Sequence, residues 1–177
     1  RPTVICHMLI SLDGKIDGAF FSAPETMPAL RKYGEVRQFY DCPATIYGTT
    51  TMAEGYADGF VSELSEADVT FPHKDHLGDS DMKNYIVSLD DEGVLRWHGK
   101  YLEKKGRPKA HVIEVLTKKV SDRYLAYLRG FGISYLFAGK ETIDCALLLQ
   151  KLKALFGIDR VLLAGGGVTN QAFAAAG

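Results

Sequence analysis

Three consecutive glycines (Gly165, Gly166 and Gly167), a threonine run (Thr49, Thr50 and Thr51) and the pair Asp13 and Lys15 are the residues of this chain whose types and spacing can do chemistry. The glycines stand between an apolar stretch, Arg160 to Ala164, and a sequence from Val168 to Phe173 that opens like a helix. A glycine turn from a strand end into a helix leaves bare backbone N–H groups beside the positive end of a helix dipole. That arrangement suits a phosphate or pyrophosphate. It equally suits a tight strand-to-helix turn that holds no ligand. Gly48, followed by Thr49 to Thr51, has the same logic: glycine permits close approach, and the threonines either present hydroxyls and N–H groups to a ligand or cap a helix. Asp13 is either a substrate-orienting carboxylate at a strand end or the turn residue of an Asp-Gly bend. Lys15 is either a partner for a substrate phosphate or an exposed lysine. Glu54 faces the substrate or is a solvated helix glutamate.

The other polar candidates are weaker. No Ser-His-Asp or Cys-His arrangement is evident. His7 reads as a hydrogen-bonded core or edge residue. His73 and His76 share an acidic loop without a third firm ligand, so no metal is expected. Trp97 and His98 either cover the core edge or stack on a ring.

The elements that must position these residues follow from hydropathy patterning. Thr3 to Ile10 is apolar and β-branched, which predicts a central buried strand. It runs into two Asp/Gly pairs between Ser11 and Gly18, which are turn chemistry. Helical spacing covers Pro28 to Asp41, stopped by Cys42-Pro43, and a second strand covers Ala44 to Tyr47. The stretch from Asp58 to Asp81 is polar, acidic and aperiodic, too long for a mere connection. Further strands are expected at Asn84 to Leu89, Ala110 to Thr117 and Ile133 to Ala138, with a small extra one at Gly93 to His98. Helices are expected at Asp122 to Arg129 and Thr142 to Phe156, the second capped by Gly157. Alternating strands and helices predict a single α/β domain over residues 1–177, a three-layer sandwich with a mostly parallel central sheet. The last residues, Ala174 to Gly177, finish a helix that would ordinarily return to another strand, so C-terminal strands are expected to be missing from this sequence.

Composition excludes several classes. A net charge of -1 with no basic stripe gives no sign of a nucleic-acid partner. No apolar run reaches the roughly 20 residues of a membrane span. The start, Arg1 to Cys6, has strand character and no signal-peptide pattern. Cys6, Cys42 and Cys145 are widely spaced with no Cys-x-x-Cys, which reads as reduced thiols in a cytoplasmic protein.

Taken in order, Ser11-Leu12-Asp13-Gly14-Lys15-Ile16, Ile46-Tyr47-Gly48-Thr49-Thr50-Thr51 and Leu163-Ala164-Gly165-Gly166-Gly167 resemble the reductase domain of riboflavin biosynthesis. That is the RibD C-terminal domain family of the dihydrofolate reductase-like superfamily, and the resemblance spans nearly the whole chain. It implies an NADPH-dependent reductase that passes hydride to the ribose carbon of a phosphoribosylamino-pyrimidine, acting as a homodimer. It implies that Gly165, Gly166, Gly167, Val168, Thr169 and Asn170 hold the cofactor phosphates. Leu9, Gly48, Thr51 and Ser88 would also border the cofactor. Asp13 would be the catalytic residue, with Ser11, Lys15, Arg37 and Glu54 on the substrate side. Lys118 and Lys119 either meet the extra phosphate of NADPH or are solvent lysines before a helix cap at Ser121.

The departures from that family concern the substrate. Ala164 stands where the family usually has Glu, and Glu54-Gly55-Tyr56 where an Asp pair often follows the threonine. Phe39 and Tyr40 fill the register of the family's phosphate-binding arginine, with Arg37 nearby. A same-fold reductase with a pterin-like or other substrate stays open, as does a dinucleotide-binding module without catalysis.

Overall fold

The computed structural model describes residues 1–64, 70–78 and 81–177. The elements run β1 (Thr3–Cys6), α1 (Met27–Tyr40), β2 (Ala44–Gly48), α2 (Thr49–Gly55), β3 (Tyr85–Leu89), β4 (Tyr101–Leu102), β5 (Ala110–Leu116), α3 (Asp122–Phe131), β6 (Ser134–Phe137), α4 (Cys145–Phe156), β7 (Arg160–Leu163) and α5 (Gly167–Ala175). One sheet has the order β1-β7-β2-β3-β5, all parallel. The outer edge of β5 is shared: β4 pairs antiparallel with Ala110 and His111, and β6 pairs parallel with Ile113 to Leu116.

Helices cover both faces, which makes the expected three-layer α/β sandwich. On one face Ile46, Val87, Val115 and Leu163 pack against Leu148 and Leu152 of α4 and Phe173 of α5. On the other, Ile86, Val112 and Tyr135 pack against Met52 of α2 and Tyr124, Leu125 and Leu128 of α3. Strands buried on both sides read as continuous apolar runs, and that is why β2, β3 and β5 stand out in the sequence. Helix ends obey local chemistry. Ser121 Oγ accepts from the Tyr124 N–H at 3.2 Å, and Gly132 and Gly157 close α3 and α4 at φ 70 and 66.

Four expectations change. The first strand stops at Cys6 and sits at the sheet edge, half-exposed, pairing only β7 among the described residues. Its apolar character does not reflect a central position. Gly93 to His98 is no strand, because the Asp90 carboxylate takes the N–H groups of Gly93, Val94 and Leu95 at 3.2, 2.7 and 3.0 Å. The segment instead meets the chain at residues 58–61, where the N–H groups of Asp58, Arg96 and Val61 bond the carbonyls of Arg96, Gly59 and Val94 and, among the described residues, its one bridge is Leu95 to Phe60. The antiparallel strand lies further on, at Tyr101–Leu102. Finally α4 begins at Cys145, since Asp144 caps it through the Leu147 N–H at 2.9 Å and the residues before form a turn around Gly139.

Of the long acidic stretch, residues 65–69 and 79–80 lie outside the described residues. What is described clings to the sheet: His76 bridges Tyr135 beyond β6, and Asp75 binds Lys151 and the Phe137 N–H. Among the described residues no helix is long and apolar enough to cross a membrane.

Candidate functional site

Because β1, β7, β2 and β3 are parallel neighbours, their C-terminal ends share one edge. Cys6 and Ile46 both register with Leu163, and Gly48 registers with Leu89. Open α/β sheets place ligands outside such ends. The glycines there divide into two kinds. A Cβ on Gly48 would stand 2.8 Å from Thr169 Oγ1, and one on Gly165 would stand 2.6 Å from Thr169 Cβ. These two glycines admit Thr169 between the strand ends. Gly166 and Gly167, by contrast, face open space.

No side chain caps α5. Its first intrahelical bond on the donor side is Asn170 N–H to Gly166 O at 3.0 Å, so the N–H groups of Gly167, Val168 and Thr169 precede the ladder. Asn170 Oδ1 is buried there without a partner. Helix α2 also starts uncapped at Gly48. The Thr49 hydroxyl is committed elsewhere, donating to Leu89 O at 2.6 Å and tying α2 to β3. Thr51 is half-buried in the same first turn, and Glu54 points outward, exposed.

After β1 the chain forms a separate small turn. Ser11 Oγ donates to Asp13 at 2.5 Å, Lys15 Nζ binds Asp13 at 2.8 Å, and the Lys15 N–H returns to Ser11 Oγ at 3.0 Å. Gly14 makes the bend at φ 80. Asp13, the expected catalytic residue, and Ser11 and Lys15, two of the four expected on the substrate side, are therefore in mutual contact at the surface. Lys15 first and Ser11 second hold the Asp13 carboxyl below the usual carboxylate range. Asp13 is consequently an anion at neutral pH and carries no proton to give. Leu9 lies half-buried just before this turn. His7 stacks on Tyr33 at 4.3 Å, and burial, then Arg37, lowers its pKa, so the ring is neutral.

Ser88 is one of two expected site residues, with Arg37, that the structure does not bring to the edge. It is 0% exposed, registers with Tyr47 and Glu114, and belongs to the core. Its neighbour Glu114, also 0% exposed, has its pKa pushed well up, by burial first and by Asp90 second. Tyr124 donates to Glu114 at 3.3 Å and to Leu95 O at 2.8 Å. Ser88 Oγ and Trp97 Nε1 sit beside Glu114 close enough to temper that rise, although neither makes a well-formed hydrogen bond.

Arg37 lies apart from the glycine turns. It donates to Thr45 Oγ1 at 2.6 Å and to the Tyr47 hydroxyl at 3.3 Å, on the face of the sheet beneath α1. Arg107, which motif reading passes over, joins it through Tyr47 at 2.6 Å. The available signal was the basic run Lys104-Lys105-Gly106-Arg107-Pro108-Lys109 between two strands.

The remaining candidates have structural partners. His73 stacks on Phe137 at 5.1 Å, and among the described residues no group of three or more His, Cys, Asp or Glu is placed to hold a metal. Lys118 donates to His73 O, and Lys119 lies 3.7 Å from Glu141. Trp97 is buried, and His98 meets Asp58 at 3.1 Å. Neither a family model nor a curated protein sequence matches this chain.

Proposed function

We propose that this chain is the dinucleotide-binding reductase domain of an NADPH-dependent oxidoreductase. One observation carries the reading: the uncapped start of α5, with Gly166 and Gly167 open to free space, lies beside the joined ends of β1, β7 and β2. A pyrophosphate fits such a place, where N–H groups of Gly167, Val168 and Thr169 donate to its oxygens and the helix dipole favours its charge. Gly48, which abuts Thr169, and Thr51, in the first turn of α2, stand at the neighbouring strand end. Bound there, NADPH supplies a hydride. The chain's own residues bind, orient and exclude water. Asp13, an anion paired with Lys15, orients a substrate without donating a proton to it.

For the substrate, the resemblance favours a phosphoribosylamino-pyrimidine of riboflavin biosynthesis, reduced at its ribose carbon by a cytoplasmic homodimer. Exposed Ile10 and Leu12 beside the β1 edge are the surface such a dimer would cover. A second reading, a dinucleotide-binding module without turnover, is favoured by Ala164 in place of a carboxylate and by the ionised Asp13.

Calorimetric titration with NADPH tests the shared claim, and absence of saturable heat removes both readings. Loss of NADPH absorbance on adding the deaminated pyrimidine intermediate then separates the enzyme from the module.

A further inference from the structure

Three polar side chains from distant parts of the sequence meet inside the molecule, on the α3 side of the sheet. Asp90 follows β3, Glu114 lies in β5 and Tyr124 in α3, and each is at most 1% exposed. The Asp90 carboxylate accepts from the N–H groups of Gly93, Val94 and Leu95. Tyr124 Oη lies 2.8 Å from Leu95 O and 3.3 Å from both Asp90 Oδ2 and Glu114 Oε1. Among the described residues neither carboxyl joins an ion pair.

The hydrogens available here do not suffice for two carboxylates. A phenol has one hydrogen to donate, and three acceptors surround that of Tyr124. Leu95 O is the nearest of them, which leaves two carboxyl oxygens around the Tyr124 oxygen without a donor. Two buried carboxylates side by side are costly, and a proton kept on one of them removes the conflict. Asp90 is occupied as an acceptor of three N–H groups, so the proton sits on the Glu114 side. Burial first, and Asp90 second, push the Glu114 pKa well up. The other groups around Glu114 are Ser88 and Tyr135, in register on β3 and β6, with Trp97 and with Tyr127 of α3. Arg129 is engaged with the Tyr135 hydroxyl, and Tyr127 feels Arg96 and Asp58.

We propose that Asp90 and Glu114 share one proton and form a latch on the segment from Gly93 to Trp97, closed while the proton is bound and released when it is lost to water. The segment can part from the sheet, because among the described residues it makes no ladder with the parallel strands. Besides Asp90 and Tyr124, it is held by the Tyr127 hydroxyl, at 2.6 Å from Trp97 N and 2.7 Å from Trp97 O, and by the chain at residues 58–61. Gly93, at φ 73, turns it so tightly against α3 that a Cβ there would lie 2.5 Å from the Tyr124 ring. With Glu114 ionised, two anions share one enclosure, and opening the segment admits the water that solvates them. Leu89, immediately before Asp90, accepts the Thr49 hydroxyl, so release reaches the start of α2. The inference stands whether or not α5 holds a pyrophosphate.

Amide hydrogen exchange of the whole chain, followed residue by residue by NMR between about pH 6 and pH 8, is the test. Hydroxide catalysis alone raises exchange about tenfold per pH unit, whereas an opening that also releases one proton raises it about a hundredfold. The Val94 and Leu95 N–H groups should follow the steeper slope and exchange faster than those of Val112 and Ile113 in β5. Glu114→Gln keeps a donor towards Tyr124 and Asp90 but cannot ionise, so its slope should return to about tenfold. The proposal is overturned by a slope of about tenfold in the unaltered chain, or by an equal slope in a folded Glu114→Gln. It is also overturned if Val94 and Leu95 exchange no faster than the β5 amides, since opening would then be unfolding of the whole domain. The slope in the unaltered chain decides even if the variant misfolds.

Discussion

Thr169 of α5 stands over Gly48 of β2 so closely that a β-carbon on Gly48 would lie 2.8 Å from the Thr169 hydroxyl. The first turn of the last helix is thereby seated against the end of a strand far away in sequence. Two glycines, Gly48 and Gly165, are needed for that seat, and two others, Gly166 and Gly167, leave space beside it.

The seat predicts a coupling. Gly48→Ala should cost about 1–3 kcal/mol through overpacking. Most of that loss should vanish when Thr169→Ala is added, because the colliding hydroxyl is then gone. Urea unfolding of both single variants and the double variant measures the interaction directly. Strictly additive losses would mean that Thr169 is not what fills the space beside Gly48.

Gly166→Val should separate ligand from fold. Gly166 has φ -71 and ψ 178, a conformation any L-residue adopts, and a Cβ there meets nothing within 4 Å. Stability should change little, while NADPH affinity falls by tenfold or more as the branched side chain enters phosphate space. The comparison of melting temperature with calorimetric Kd decides it. An unchanged Kd would leave the turn as simple chain reversal.

Asp13→Asn addresses the small surface turn. The variant keeps the Ser11 contact but frees Lys15, so turnover should fall on the order of tenfold while cofactor affinity holds. Since Lys15 and Ser11 keep the carboxyl ionised, the wild-type pH profile should show no limb from Asp13 across about pH 5 to 8. Equal losses in turnover and affinity would assign Asp13 to the turn alone.

Two buried groups give the stability a worked pH dependence. Burial, then Lys100, lowers His111 to about 4 from its ordinary 6.5, so the unfolded chain takes up a proton that the folded one refuses. Its contribution is present above pH 6.5 and is lost as pH falls towards 4. Glu114 runs the other way: its carboxyl is held protonated in the fold, so its contribution is full below the ordinary 4.5 and declines as pH rises. The two oppose each other between pH 4.5 and 6.5. Glu114→Gln should therefore steepen the acid loss of stability in that window, and His111→Gln should flatten it. Melting temperatures at several pH values, expected to part by roughly 2–4 °C or more, provide the check.

Much of this architecture could be read from residue patterns, because strands buried on both faces announce themselves as apolar runs and helix ends carry Ser121, Gly132 and Gly157, whereas the Asp144 cap of α4 went unread. The failures share a cause in long-range geometry. Thr3 to Cys6 is as apolar as a central strand yet lies at an edge, since pattern records burial preference but not neighbours. Leu95 and Trp97 looked like a strand, and nothing local revealed that Asp90 would take their loop's N–H groups. Within the candidate site, the glycine turns were legible as motifs, but the division between Gly165 and Gly166 was not, because it depends on where Thr169 lands. Ser88 shows the converse, a polar residue whose position beside the edge hides a fully interior side chain. Arg107 came to light only when the chain between β4 and β5 folded back towards Arg37.

The contact between Lys151 and Asp75 has a consequence at the opposite flank of the molecule. Lys151 Nζ reaches both Asp75 oxygens, at 2.8 and 2.7 Å, and Phe137 O at 2.8 Å, pinning the chain around His76 along the outside of β6. A foreign strand seeking hydrogen bonds there would first have to break an ion pair. Intermolecular β-addition, the usual hazard of an open sheet, is thus steered away from that border and towards β1.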